Sequence, residues 1–141
     1  MQFEADVTIA APEISKLTEQ TADFLSQRGV DARAAHHVAL VLDELLSNLA
    51  THGGSANQTA KIRISIEPGQ VRGELVDAGP SFDPRTAPDP DVSADIADRP
   101  IGGLGLLLVR RLTSGLEYVR RDRRNYTAFS VPRTTQQAEG Q

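Results

Sequence analysis

In the stretch VALVLDELLSNLATHGG, residues 38–54, Glu44 and Asn48 stand four residues apart and His52 follows four later. In a helix that spacing puts them on one flank, each a turn from the next. A carboxylate there can take a proton from a hydroxyl or a water as a general base. An asparagine offers one neutral oxygen, which suits Mg²⁺, an ion that binds few protein groups and keeps waters or takes substrate phosphates. Alone, the pair also fits an ordinary solvated flank, and His52 a helix-end histidine held near the C-terminal dipole.

Two further stretches carry chemistry. In LVDAGPSFDP, Asp77 ends an apolar run and Gly79 follows where the chain must turn. A carboxylate at a strand end can accept from an exocyclic amine, which selects adenine over guanine because guanine presents a carbonyl there. Gly79 permits a close backbone approach that a Cβ would block. The same residues fit a plain Asx turn closing a strand. In GGLGLL, residues 102–107, glycines precede a helical run, so backbone N–H groups at its positive end face outward and suit phosphate oxygens. The pattern is not G-x-x-x-x-G-K-[ST], which excludes a P-loop of the Walker type.

These residues need elements to hold them. FEADVTIA predicts a first strand, Phe3–Ala10. A helix follows, with Pro12 in its first turn, an apolar stripe of Ile14, Leu17, Ala22 and Leu25, and Gly29 as its stop. Asp31 is the expected N-cap of a second helix over about 32–51, closed by Gly53 and Gly54. Val38, Val41, Leu42, Leu45, Leu46 and Leu49 give that helix one apolar face, with Glu44 and Asn48 at its edge. KIRISIEP alternates as a strand with one buried side, and Pro68-Gly69 turns it into a hairpin partner ending near Asp77.

Residues 80–100 then hold five of the chain's eight prolines and five aspartates, a composition with little to bury. This reads as a mobile loop over about 80–101, long enough to be a functional lid. A short helix after the glycines and two strands, LEYVRRD and NYTAFSVP, turning around Arg123-Arg124, complete one domain over 1–133. Residues 134–141 read as a frayed tail. The order predicts an α+β two-layer sandwich: a mixed, mostly antiparallel sheet with helices on one face.

Bulk composition narrows the function. With 141 residues, 39% hydrophobic and 24% charged, the chain fits one ordinary globular domain. A net charge of −4 disfavours direct nucleic-acid binding, and an aromatic content of 4% with no tryptophan disfavours a base-stacking platform. Without cysteine there is no disulfide, thiolate catalysis or cysteine zinc site, which agrees with a cytoplasmic setting. No apolar run approaches the roughly 18 residues of a membrane span, and the start lacks the features of a signal peptide. Arg110, Arg111, Arg120, Arg121, Arg123 and Arg124 fit either an acidic partner or a solvated face.

The conjunction is more specific than its parts. E-x-x-x-N on a helix, D-x-G ending a strand, a long loop, then G-G-L-G-L opening a helix resembles the GHKL (Bergerat) ATP-binding fold of histidine-kinase catalytic domains, gyrase-type ATPases and anti-sigma kinases. The likeness is strongest to the short bacterial anti-sigma factor serine kinases. D-x-G-x-x-F-D-P appears as Asp77, Gly79, Phe82, Asp83 and Pro84, and Y-x-R-x-x-x-x-N as Tyr118, Arg120 and Asn125. It covers about residues 3–132. The departure is near Ser114, where relatives commonly carry an acidic residue.

The resemblance implies ATP and Mg²⁺ as cofactors and assigns roles. Asn48 would hold Mg²⁺ against the phosphates, and Glu44 would be the general base on a substrate serine. Asp77 would bind the adenine amine, with Gly79 and Phe82 beside it. Gly102, Gly103, Leu104, Gly105 and Leu106 would approach the phosphates, and Thr127 would support the adenine. The partners implied are a STAS-domain anti-anti-sigma protein, whose serine would be phosphorylated, a sigma factor to be sequestered, and a second copy in a homodimer. A nucleotide-binding switch without transfer chemistry would need Asn48 and Asp77 but no base. A histidine-kinase-like ATPase domain would act on a separate phosphoacceptor.

Overall fold

The computed structural model describes residues 1–52, 58–86 and 103–134. Its elements run β1 (Gln2–Thr8), α1 (Ala11–Gln27), α2 (Ala32–His52), β2 (Thr59–Glu67), β3 (Gln70–Asp77), α3 (Gly103–Leu112), β4 (Gly115–Arg121) and β5 (Arg124–Pro132). The strands form one sheet in the order β1-β2-β3-β5-β4, antiparallel at every pair. The expected two-layer α+β sandwich is present, but among the described residues its sheet is wholly antiparallel rather than mixed.

Period-two alternation decides which side the helices cover. Along β2, Ala60, Ile62 and Ile64 are buried while Lys61 and Arg63 are exposed; along β5, Asn125, Thr127, Phe129 and Val131 are buried. Register carries this across the sheet in rows: Ile64–Gly73–Phe129–Leu116 at one end, Ala60–Asp77–Asn125–Arg120 at the other. The first row joins the core made with Leu25, Val38, Leu42 and Leu46 of the helices. The opposite face carries charge pairs, Arg63 with Glu4 and Glu74, and Arg72 with Glu74 and Glu117.

The stop of α1 and the start of α2 follow the expected chemistry, while the expected Gly53-Gly54 close of α2 lies outside the described residues. Gly29 has φ +84 and its N–H donates to Ser26 O, while Val30 N–H reaches Leu25 O at 3.0 Å, the paired bonds of a Schellman stop. Asp31 Oδ2 accepts from Ala34 N–H at 3.1 Å, capping α2, and Asp31 Oδ1 accepts from Thr134 N–H at 3.0 Å. Burial alone would raise the Asp31 carboxyl, but hydrogen bonds led by these two amides, with the Thr134 side chain and the Asp31 backbone adding to them, hold it below its usual value.

Several details differ from the sequence-based expectation. Strand β1 closes at Thr8 rather than Ala10, because Ala10 serves as the extended N-cap of α1 and its N–H turns back to Thr8 O. On α1 the buried stripe uses Thr21 and Phe24 where Ala22 was expected; Ala22 is half-buried, and the Thr21 hydroxyl is satisfied by Leu17 O at 2.9 Å. The last turn sits on Asp122 (φ 55) and Arg123 (φ 65), one residue earlier than expected. Two positive φ values in a two-residue hairpin match the twist of the flanking strands. Of the expected mobile loop, residues 80–86 are described and fastened: Asp83 accepts from Arg85 N–H and its guanidinium, and Thr86 N–H donates to Asp83 O. The rest of that loop, and all of the tail beyond Thr134, lie outside the described residues. Among the described residues no helix is long and apolar enough to cross a membrane.

Candidate functional site

The apolar face of α2 packs into the core through Val38, Leu42 and Leu46, and Glu44 and Asn48 lie along the same helix. Asn48 is 7% exposed, and its amide Nδ2 has no hydrogen-bond partner among the described residues. A buried donor without an acceptor costs on the order of 1–3 kcal/mol, so this amide calls for an acceptor such as a phosphate oxygen. Glu44, one turn earlier, is half-buried. Burial, reinforced by the negative charge of Asp43, pushes its carboxyl above the usual range, the direction a general base requires.

Helix α3 meets this pair directly. A Cβ on Gly105 would lie 1.9 Å from Glu44 Oε2 and 2.5 Å from its Cδ, so the Glu44 carboxyl occupies the space that a side chain at 105 would take. Gly103 and Leu104 open α3, and Leu106 is buried. Gly102 lies outside the described residues. The first turn of α3 therefore stands beside the α2 carboxylate.

Asp77 is 4% exposed and lies in the row with Ala60, hence on the helix-covered side, as Asn48 does. Its Oδ1 accepts from Gly79 N–H at 2.9 Å, the Asx turn foreseen as an alternative. The turn occupies one oxygen of the carboxylate and leaves the second for another partner. Gly79 is buried, and a Cβ there would lie 2.6 Å from Gln58 Nε2 and 3.0 Å from Asp77 Oδ1. Phe82 is half-buried beyond the turn. Thr127 is buried on β5 opposite Leu75, two residues from Asn125 on the same phase. Glu44 and Gly105 thus meet at the α2–α3 junction, with Asn48 one turn further along α2, while Asp77 and Thr127 share the helix-covered side of the sheet and Gly79 lies in the turn after β3.

Sequence reasoning gave no role to Asn125 and Arg120 and did not single out Gln58. Asn125 is 2% exposed and bonds Asp77 directly, its Nδ2 donating to Oδ1 at 2.9 Å. A signal was available: Asn125 falls on the inward phase of β5 with Phe129 and Val131, where a polar residue needs partners. Gln58 precedes β2, and its Oε1 is buried without a partner among the described residues.

The residues fit a magnesium-nucleotide. The Asn48 amide supplies an unsatisfied donor at one end and an oxygen of the kind Mg²⁺ accepts at the other. Among the described residues no cluster of His, Asp or Glu forms a cage of its own, so Mg²⁺ here would be held largely by phosphates and water.

Comparison with known proteins agrees with this fold. The family model described as the histidine kinase-like ATPase domain matches residues 8–131. The chain is 32% identical over 108 residues to the serine/threonine-protein kinase BtrW of Bordetella bronchiseptica, covering 72% of this chain and 75% of that protein. Among solved structures, the RsbU and RsbW domains of a Mycobacterium tuberculosis protein superpose with a TM-score of 0.66 at 12% identity, covering 94% of this chain and 32% of that one. The SiaB-SiaC complex of Pseudomonas aeruginosa gives 0.60 at 16% identity, covering 92% of this chain and 89% of that one. At these identities the structural matches speak for the fold.

Proposed function

Because the chain belongs to the histidine kinase-like ATPase family, we propose that it is a protein-serine kinase acting in a partner switch. It would phosphorylate a serine of a STAS-domain anti-anti-sigma protein, and sequester a sigma factor when that protein is absent. ATP is the nucleotide that family membership implies, with Mg²⁺ as its companion ion. Action within the cytoplasm and pairing of two copies belong to the same proposal. The relative BtrW bears the name of a serine/threonine-protein kinase, which supports transfer chemistry over nucleotide binding alone.

The observation that carries the proposal is the pairing of Glu44 with Asn48. A pure nucleotide binder uses the amide but has no need of a half-buried carboxyl, raised above its ordinary pKa by burial, one turn away. Mg-ATP, when bound, supplies the phosphoryl group and neutralises its charge. The chain's own tasks are then positional, as phosphoryl transfer demands. Asn48 holds the metal side of the phosphates, the first turn of α3 offers backbone N–H groups to their oxygens, and Asp77 with Thr127 holds the base. Glu44 accepts the proton of the attacking serine hydroxyl.

The test is label transfer from γ-labelled ATP to a co-purifying STAS-domain protein, comparing the native chain with Glu44→Gln. Loss of a general base should slow transfer about 10²–10⁴-fold while nucleotide binding persists. Undiminished transfer would remove Glu44 from the mechanism. Binding with no transfer by the native chain would favour the non-catalytic switch.

A further inference from the structure

The motif Tyr118, Arg120 and Asn125 has no task in the scheme above, yet its side chains are hydrogen-bonded to one another and to Asp77, Gly79 and Pro80. Arg120 faces Asn125 across the β4–β5 pair, and Asn125 faces Asp77 across β3–β5. Asn125 Oδ1 accepts from Tyr118 OH and from Arg120 Nη1, the latter at 3.0 Å. Asn125 Nδ2 donates to Asp77 Oδ1 at 2.9 Å, to Pro80 O at 3.0 Å and to Gly79 O at 3.3 Å. Arg120 Nη1 also donates to Gly79 O at 2.7 Å.

An asparagine amide can face either way, so its orientation depends on its neighbours. A guanidinium only donates. Arg120 therefore forces the oxygen of Asn125 toward itself, and the Asn125 nitrogen must face Asp77. Both described hydrogen bonds to Asp77 then fall on Oδ1, one from Asn125 and one from Gly79 N–H. That leaves Oδ2 as the acceptor presented to a ligand. Arg120 and Asn125 also hold both carbonyls of the Gly79–Pro80 turn, so the backbone beside the base is fixed by the same two side chains.

We propose that Asn125 and Arg120 are positioning residues for nucleobase recognition: they fix the polarity of the network so that Asp77 offers one free carboxylate oxygen to an amine donor. This selects adenine, whose amine donates at that position, over guanine, whose carbonyl there would meet a second acceptor. The inference rests on Asp77 being the base-reading residue.

The experiment is calorimetric binding of Mg-ADP and Mg-GDP to the native chain, Asp77→Asn, Asn125→Leu, Arg120→Met and Arg120→Lys, with unliganded thermal unfolding alongside. Arg120 is exposed, so Arg120→Met remains folded even if Asn125→Leu does not. Both variants should weaken ADP about tenfold, the value of one charge-assisted hydrogen bond, and the ADP:GDP preference should shrink in the same proportion. Arg120→Lys, which restores a donor, should recover much of the preference. If Asp77→Asn loses ADP while Arg120→Met keeps the native affinity and preference, the positioning role is overturned and the base-reading role of Asp77 stands. A loss in Arg120→Met that is equal for ADP and GDP would also overturn it, as a merely structural effect. Native affinity in Asp77→Asn would overturn both.

Discussion

Two rows of one sheet, on the same helix-covered face, have opposite characters. The row Ile64–Gly73–Phe129 is apolar and packed, with the Phe129 ring lying over Gly73 where a Cβ would come within 2.2 Å of it. The row Ala60–Asp77–Asn125, four residues along, is just as buried and polar. Burial of polar groups is tolerated only where partners are supplied, and here they come from a turn and from the edge strand. The core row contributes stability alone. The polar row is engaged at Asp77 Oδ1 and Asn125, while the Asn48 amide of α2 has no acceptor among the described residues. A stabilising region leaves no polar valence open; a binding region keeps one.

Substitutions can break this contrast from either side. The largest expected effect is Phe129→Ala, which empties the core row and should cost about 3–5 kcal/mol. It would be read as a lowered urea midpoint, equal with and without nucleotide. Gly73→Ala should cost about 1–3 kcal/mol, since the added methyl meets a ring packed in the core. Gly105→Ala is the counterpart at the polar end. There the added methyl meets the tip of a movable Glu44 side chain, and replacing a helical glycine returns about 0.5–1 kcal/mol. Stability should change by less than about 1 kcal/mol while label transfer falls sharply, a split that chemical denaturation and the transfer assay together would reveal. Equal losses of stability in the two glycine variants would erase the distinction between the rows.

A pH profile sharpens it further. A base must be deprotonated to work, and the Glu44 carboxyl titrates above an ordinary glutamate because burial and Asp43 disfavour its charge. The acid limb of the transfer rate should therefore lie at higher pH than for an exposed glutamate, and Asp43→Asn should move it toward lower pH. A limb unmoved by that change would remove the Asp43 contribution. The smallest effect belongs to the outer face: Arg72→Ala breaks exposed pairs with Glu74 and Glu117 and should cost no more than about 1 kcal/mol, shrinking with added salt.

The helices, the strands and the side that β2 buries were legible in the chain, because apolar period and turn residues act over a few neighbours. Gly29, Asp31 and Pro68-Gly69 punctuate it where local chemistry requires. The candidate site was legible only as separate suggestions. Glu44 with Asn48, and Asp77 with Gly79, each fitted a bland alternative until their order resembled a family. Arg120 and Asn125 could be quoted as a motif but given no task.

Sequence alone determined which residues could carry charge, accept a proton or admit a close backbone, since these are properties of single side chains and short periods. Only the tertiary structure decided that Gly105 comes up against Glu44, and that Asn125 takes one oxygen of Asp77 and leaves the other. Residues 44 and 105, and 77 and 125, are distant along the chain. Helix packing and strand register, set by burial of the whole apolar face, alone bring them within contact.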